Sequence, residues 1–173
     1  MKIFLLGYMG SGKSFIGNQL AESLGCEFLD LDNEIEKQCD MKISEIFTRK
    51  GEVFFRKAER KMLEKLLKFD SPAVVALGGG TPCYGNNMEM IKAEEDVASV
   101  YLKLNIENLK GRLLKEKDSR PMISHLETEE LLEEFIRKHL FERGFYYNQS
   151  DYIVDCNSKT SQEIIAEIKE RLK

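Results

Sequence analysis

The chain has 173 residues, of which 42% are hydrophobic and 32% charged, the proportions of one globular domain with a sizeable core rather than a disordered or fibrous polymer. A net charge of −4 and a pI of about 5.4 exclude the broad basic field that nucleic acid requires, while leaving room for a few cations placed against a small anion. Four scattered cysteines form no C-x-x-C pair, and no apolar run approaches membrane-span length. The expectation is a cytoplasmic protein with free thiols, no zinc site and no membrane partner.

Taken in chain order, short apolar runs alternate with longer segments of helical period. A strand over 3–6 leads through a glycine-rich loop into a helix over 13–24. A second strand at 26–29 is followed by three helices, over 33–39, 44–50 and 52–69. A third strand, 73–77, ends in three glycines and precedes a helix over 86–94. The fourth strand, 98–102, leads to a helix over 107–115, a polar stretch over 115–128 broken by Pro121, and a long helix over 128–145. A last strand at 152–154 and a helix over 161–172 complete the chain. Continuous rather than alternating apolar character marks strands buried on both faces. Strand–helix–strand repetition therefore predicts an α/β fold, a five-stranded parallel sheet flanked by helices in three layers. The reading is of a single domain over 1–173, with two interruptions. The helical insertion over about 33–60 and the polar segment over about 115–128 are expected to cover substrate, the second as a lid.

Residues 7–14 read G-Y-M-G-S-G-K-S directly after the first strand. Glycines at 7, 10 and 12 let the backbone bring N–H groups close to phosphate oxygens, so Gly10, Ser11 and Gly12 are expected to line the phosphates of ATP. Lys13 can reach the β- and γ-phosphates, and the Ser14 hydroxyl can ligate Mg²⁺. The positive end of the following helix adds to the site.

The second strand ends in Asp30-Leu31-Asp32. On an extended backbone, residues two apart share a face, so both carboxylates can point into one crevice. Phosphoryl transfer uses such groups to hold the metal's surroundings and to orient or deprotonate the accepting hydroxyl. A plainer role for Asp32, capping a helix that opens at Asn33, competes with this. Gly78, Gly79 and Gly80 end the third strand with exposed N–H donors and no side chains, which suits close approach of a small polar ligand. No acidic residue ends that strand, which leaves Asp30 as the metal-side carboxylate. Arg56, Arg120 and Arg143 supply cations, but no spacing argument brings them together. His125 and His139 have no motif partners and read as surface or lid residues.

Assembled in this order, the pieces resemble the shikimate kinase family over essentially the whole length. They are G-Y-M-G-S-G-K-S, F-L-D-L-D, G-E-V-F-F-R-K-A-E, A-L-G-G-G, S-R-P-M and E-R-G-F-Y-Y. The resemblance implies a P-loop fold like that of the nucleoside monophosphate kinases and transfer of the γ-phosphate of ATP to the 3-hydroxyl of shikimate. It assigns Asp32 to the acceptor hydroxyls and as candidate base. Arg56 and Arg143 become a clamp for the shikimate carboxylate, and Gly78 to Gly80 donors to the ring substituents. Asp30 joins Ser14 in the Mg²⁺ environment, Arg120 reaches the transferred phosphate from the lid, and Arg112 stacks on adenine. Phe47, Phe55, Glu59 and Pro121 would shape the pocket. A planar carboxylate is best held by a guanidinium fork, which agrees with arginine at 56 and 143. A gluconate kinase also needs such a clamp and stands as the alternative, with a nucleoside monophosphate kinase behind it. A regulatory module that binds nucleotide without catalysis is the rival from another class. A monomer is expected.

Overall fold

The computed structural model describes residues 1–117 and 121–173. Its core is the parallel sheet that the apolar runs foretell: β1 (Lys2–Leu6), β2 (Glu27–Asp30), β3 (Ala73–Ala76), β4 (Val97–Lys103) and β5 (Tyr152–Asp155), in the order β2-β3-β1-β4-β5. β1 is central and buried along its whole length, with Phe4 paired to Val75 on one side and Ser99 on the other.

Helix α1 (Lys13–Leu24) carries the chain from β1 to β2, passing the position of β3, and packs on β1, β2 and β3. The later crossovers all step across the sheet in the opposite sense. Since parallel crossovers are right-handed, they lie on the other face. These are α2 (Leu31–Cys39), α3 (Ile43–Lys50) and α4 (Glu52–Leu67), then α5 (Asn87–Ala93), then α6 (Ile106–Glu116), α7 (Pro121–Ser124) and α8 (Glu129–Tyr147). The last helix, α9 (Ser161–Arg171), returns to pack against α1 and β5. The sheet order reverses direction at β1, and in open α/β sheets the crevice beyond the carboxyl ends of the strands at such a point is where ligands bind.

Local chemistry sets the helix ends. Thr128 caps α8 by accepting from Leu131 N–H, Asn105 caps α6 through Asn108 N–H, and Thr160 with Glu163 forms a capping box on α9. Two departures from the sequence reading matter for the site. Helix α2 begins at Leu31 rather than 33, because Asp30 itself accepts from Asn33 N–H at 3.2 Å and is the cap. The glycine triplet does not end in open loop but runs into a short 3₁₀ turn at Thr81–Cys83.

At the far end of β1 the Lys2 ammonium is buried. It donates to the carbonyls of Leu67 and Phe69 at 2.6 and 3.1 Å, where α4 ends, and pairs with Asp96 at 2.9 Å. The carbonyls that α4 leaves unpaired at its C-terminus are thus tied to the central strand. The four cysteines are free thiols. Among the described residues, no helix is long and apolar enough to cross a membrane.

Candidate active site

The loop between β1 and α1 turns through positive φ at Gly10 (76°) and Gly12 (93°), conformations that favour glycine and turn successive N–H groups inward. Lys13 Nζ lies back across the loop, donating to the carbonyls of Gly7 and Tyr8 at 2.8 and 3.0 Å. Ser14 Oγ donates to Asp30 Oδ2 at 2.7 Å. Asp30 therefore serves α2 with one oxygen and the phosphate loop with the other. A hydroxyl beside a carboxylate is a hard-oxygen donor set that suits Mg²⁺, whose other ligands are ordinarily phosphates and water. Among the described residues, no group of three or more His, Cys, Asp or Glu could hold a metal by itself. Arg112, exposed on α6, donates to the carbonyls of Gly10 and Ser11 at 3.2 and 3.3 Å and so lies on the rim of the loop.

Asp32 sits one position into α2, not on the strand. It still reaches the crevice, because the first turn of a helix capped at the strand end projects over the neighbouring strand. A Cβ added to Gly78 would stand 2.9 Å from both Asp32 Oδ1 and Thr81 Oγ1. Asp32 Oδ1 is shielded from solvent and has no hydrogen-bond partner among the described residues. Burial pushes the Asp32 carboxyl up to about 6, the charges of Asp30 and Glu59 add to the rise, and Lys13 and Arg56 partly offset it. A carboxyl that titrates near neutrality in a cleft is suited to accept a proton.

The glycine triplet brings the arginines together. A Cβ at Gly80 would meet Arg56 Nη1 and Nη2 at 3.2 and 3.4 Å, and one at Gly79 would meet Arg143 Nη1 at 3.7 Å. Arg56 donates through Nη1 to Glu59 Oε2 at 2.9 Å, and Glu59, 1% exposed, accepts from Thr81 Oγ1 at 2.7 Å. Arg143 lies beside the Tyr8 ring, 5.7 Å from its centroid. Phe47 and Phe55 stack at 4.6 Å next to Arg56.

Asp32, Arg56, Arg143 and all three glycines thus meet around one space next to the phosphate loop, while Ser14 and Asp30 meet at the start of α1. Arg120 lies outside the described residues. His139 is not a surface residue as expected: half-buried on α8, it bonds through Nδ1 to the Tyr8 hydroxyl at 2.9 Å. Tyr147 was also missed; its hydroxyl donates to the carbonyl of Gly79. A signal for both was present, since His139, Arg143 and Tyr147 recur every four residues and share one helix face.

A phosphate loop on the central strand of a parallel sheet, facing a carboxylate and two arginines, defines a P-loop kinase of the nucleoside monophosphate kinase type. The shikimate kinase family model matches residues 9–173, and the chain belongs to that family. It is 46% identical to the shikimate kinase of Flavobacterium johnsoniae over 96% of both chains. A shikimate kinase structure from Bacteroides thetaiotaomicron superposes with a TM-score of 0.91 at 33% identity, covering 99% of this chain and 98% of that one. One from Acinetobacter baumannii, solved in complex with shikimate, gives 0.86 at 34% identity over 99% and 92%. A gluconokinase from Sinorhizobium meliloti, at 0.57 and 19% identity over 99% and 90%, shares the fold alone.

Proposed function

We propose that this chain transfers the γ-phosphate of ATP to the 3-hydroxyl of shikimate, giving shikimate 3-phosphate and ADP, as a step in making aromatic amino acids. The observation that carries the reading is the convergence of Asp32, Arg56 and Arg143 on the Gly78 to Gly80 backbone. In this reading the two guanidinium groups hold the substrate carboxylate, and the glycine N–H groups receive ring hydroxyls. Asp32 accepts the proton of the 3-hydroxyl as its oxygen bonds to phosphorus and ADP departs. Lys13 and the N–H groups of Gly10, Ser11 and Gly12 hold the phosphates, and Arg112 borders the base. Ser14 and Asp30 would hold Mg²⁺, which supplies charge neutralisation of the phosphates when bound. Each hydrogen bond to a charged group contributes about 1.5–3 kcal/mol, so an acceptor lacking the carboxylate forfeits both arginines.

The single domain 1–173 would carry its acceptor-binding insertion over 33–60 and a cover over 115–128; the role of Arg120 there rests on family resemblance. The four free thiols support a cytoplasmic setting. A monomer of 20.0 kDa is the proposed state, although Phe141 and Phe145 give α8 an exposed apolar pair that the sequence reading did not anticipate; light scattering after size exclusion checks the mass. The deciding experiment offers the purified protein Mg-ATP with shikimate, gluconate, AMP or CMP and follows ADP release. Turnover with shikimate and background with the others is expected. Silence with shikimate, or equal turnover of gluconate, overturns the assignment.

A further inference from the structure

Arg56 is held on more sides than a solvated arginine needs. The ring of Tyr84 lies under its guanidinium, with Cζ 3.6 Å from the ring centroid, and Phe55 stands 5.1 Å away. The Tyr84 hydroxyl donates to Glu52 Oε1 at 3.2 Å, and that same oxygen faces Arg56 Nε at 3.5 Å. Glu59 accepts from Nη1 through Oε2 at 2.9 Å. The planar cation is therefore faced by Tyr84 and held at Nη1 by its hydrogen bond to Glu59, with Glu52 as an ion pair beside an Nε that makes no hydrogen bond among the described residues. Its remaining Nη donors are presented along the Gly80 backbone, whose missing Cβ would strike Nη1, Nη2 and Tyr84 Cε2 at 3.2, 3.4 and 3.4 Å.

We propose that Tyr84 is a positioning residue for the acceptor carboxylate: it orients the Arg56 fork toward the crevice without itself touching the reacting atoms. The proposal rests on the reading of Arg56 as half of a carboxylate clamp. Its chemistry is general. A guanidinium stacked on an aromatic face keeps its edge donors free while losing the freedom to rotate out of plane. Restricting a side chain before binding improves affinity by removing the ordering cost at the moment of association. Such a residue acts on acceptor binding and leaves the nucleotide side alone. Tyr84 follows the 3₁₀ turn after the triplet, and at 38% exposure it can be replaced with little damage to the core.

The test compares Tyr84→Leu, Tyr84→Phe and Tyr84→Trp. For Tyr84→Leu the KM for shikimate is expected to rise about tenfold, the loss of a part-desolvated stacking contact, with kcat within about twofold and the KM for ATP unchanged. Tyr84→Phe keeps the ring and Tyr84→Trp strengthens it, so both should stay within about threefold of the parent. An unchanged shikimate KM in Tyr84→Leu, or an equal rise in the KM for ATP, overturns the proposal. A second readout is independent of the acceptor. With ¹⁵N-labelled arginine, the Arg56 Nε–H resonance should carry a ring-current shift that vanishes in Tyr84→Leu; if the resonance does not move, the stack has no positioning role. Failure of the parent protein to use shikimate would sink the functional reading alone, and the resonance would still decide the role of Tyr84.

Discussion

Asp32 carries two demands of opposite sign. In its proposed role as proton acceptor it must be ionised; as a buried group crowded by Asp30 and Glu59 it resists ionisation. Its folded pKa of about 6 lies above the ordinary 3.8. Between those values the folded state holds the proton more tightly, so stability falls as pH rises through that window and the full penalty remains above it. At 1.36 kcal/mol per unit the penalty is about 3 kcal/mol. Asp32→Asn is therefore expected to melt several degrees higher than the parent at pH 8 and to lose that advantage at pH 4, by differential scanning calorimetry. The same variant should lose about 10²–10⁴ in kcat while titrating ADP as the parent does. In the parent, log(kcat/KM) for shikimate should climb with pH and level off above an apparent pKa of about 6. A flat profile from pH 5 to 8 would remove Asp32 from the proton transfer. Sequence alone pointed to this residue by its place after the phosphate loop, but for an incomplete reason. The two aspartates meet not as neighbours on an extended strand but because one caps the helix whose first turn holds the other.

At the scale of elements, period and punctuation were sufficient. All five strands and eight of the helices lie within a few residues of where apolar runs, glycines and capping residues put them, because strands buried on both faces and amphipathic helices leave different periods. What stayed hidden was lateral: the order β2-β3-β1-β4-β5 depends on the path of each crossover, which no local pattern records. The short helix Pro121–Ser124 and the 3₁₀ turn after the triplet were missed because each is only a turn long. The grouping of Arg56 with Arg143 came from the family resemblance and not from spacing, for the same lateral reason, since the arginines belong to α4 and α8 and approach the glycine triplet from different elements. Helix α8, which carries Arg143, is joined to the triplet through Tyr147, whose ring also packs on Tyr101 at 5.0 Å. Tyr147→Phe keeps the packing and removes the donor to Gly79 O. A loss of about 1 kcal/mol in urea unfolding is expected, the cost of losing the hydrogen bond to a part-buried carbonyl, together with a raised KM for shikimate and an unchanged KM for ATP. Unfolding like that of the parent would show the hydroxyl to be dispensable.

For the molecule as a whole, the phosphate loop and the helix that carries Arg56 are joined at the opposite end of β1. β1 delivers the phosphate loop at its carboxyl end and Lys2 at the other; α4 begins beside Arg56 and ends at the carbonyls that Lys2 holds. Lys2→Met should cost about 1–3 kcal/mol through those unpaired carbonyls, or about 2–4 °C of melting temperature per kcal/mol for a chain of this size. No change in melting would show the buried ammonium to be without structural weight. Strand, loop, helix and ammonium close a frame, in the way a brace across the foot of a doorway keeps its lintel square. If Arg56 and Arg143 form the proposed clamp, Lys2→Met should also raise the KM for shikimate, through a lysine at the opposite end of β1 from the phosphate loop.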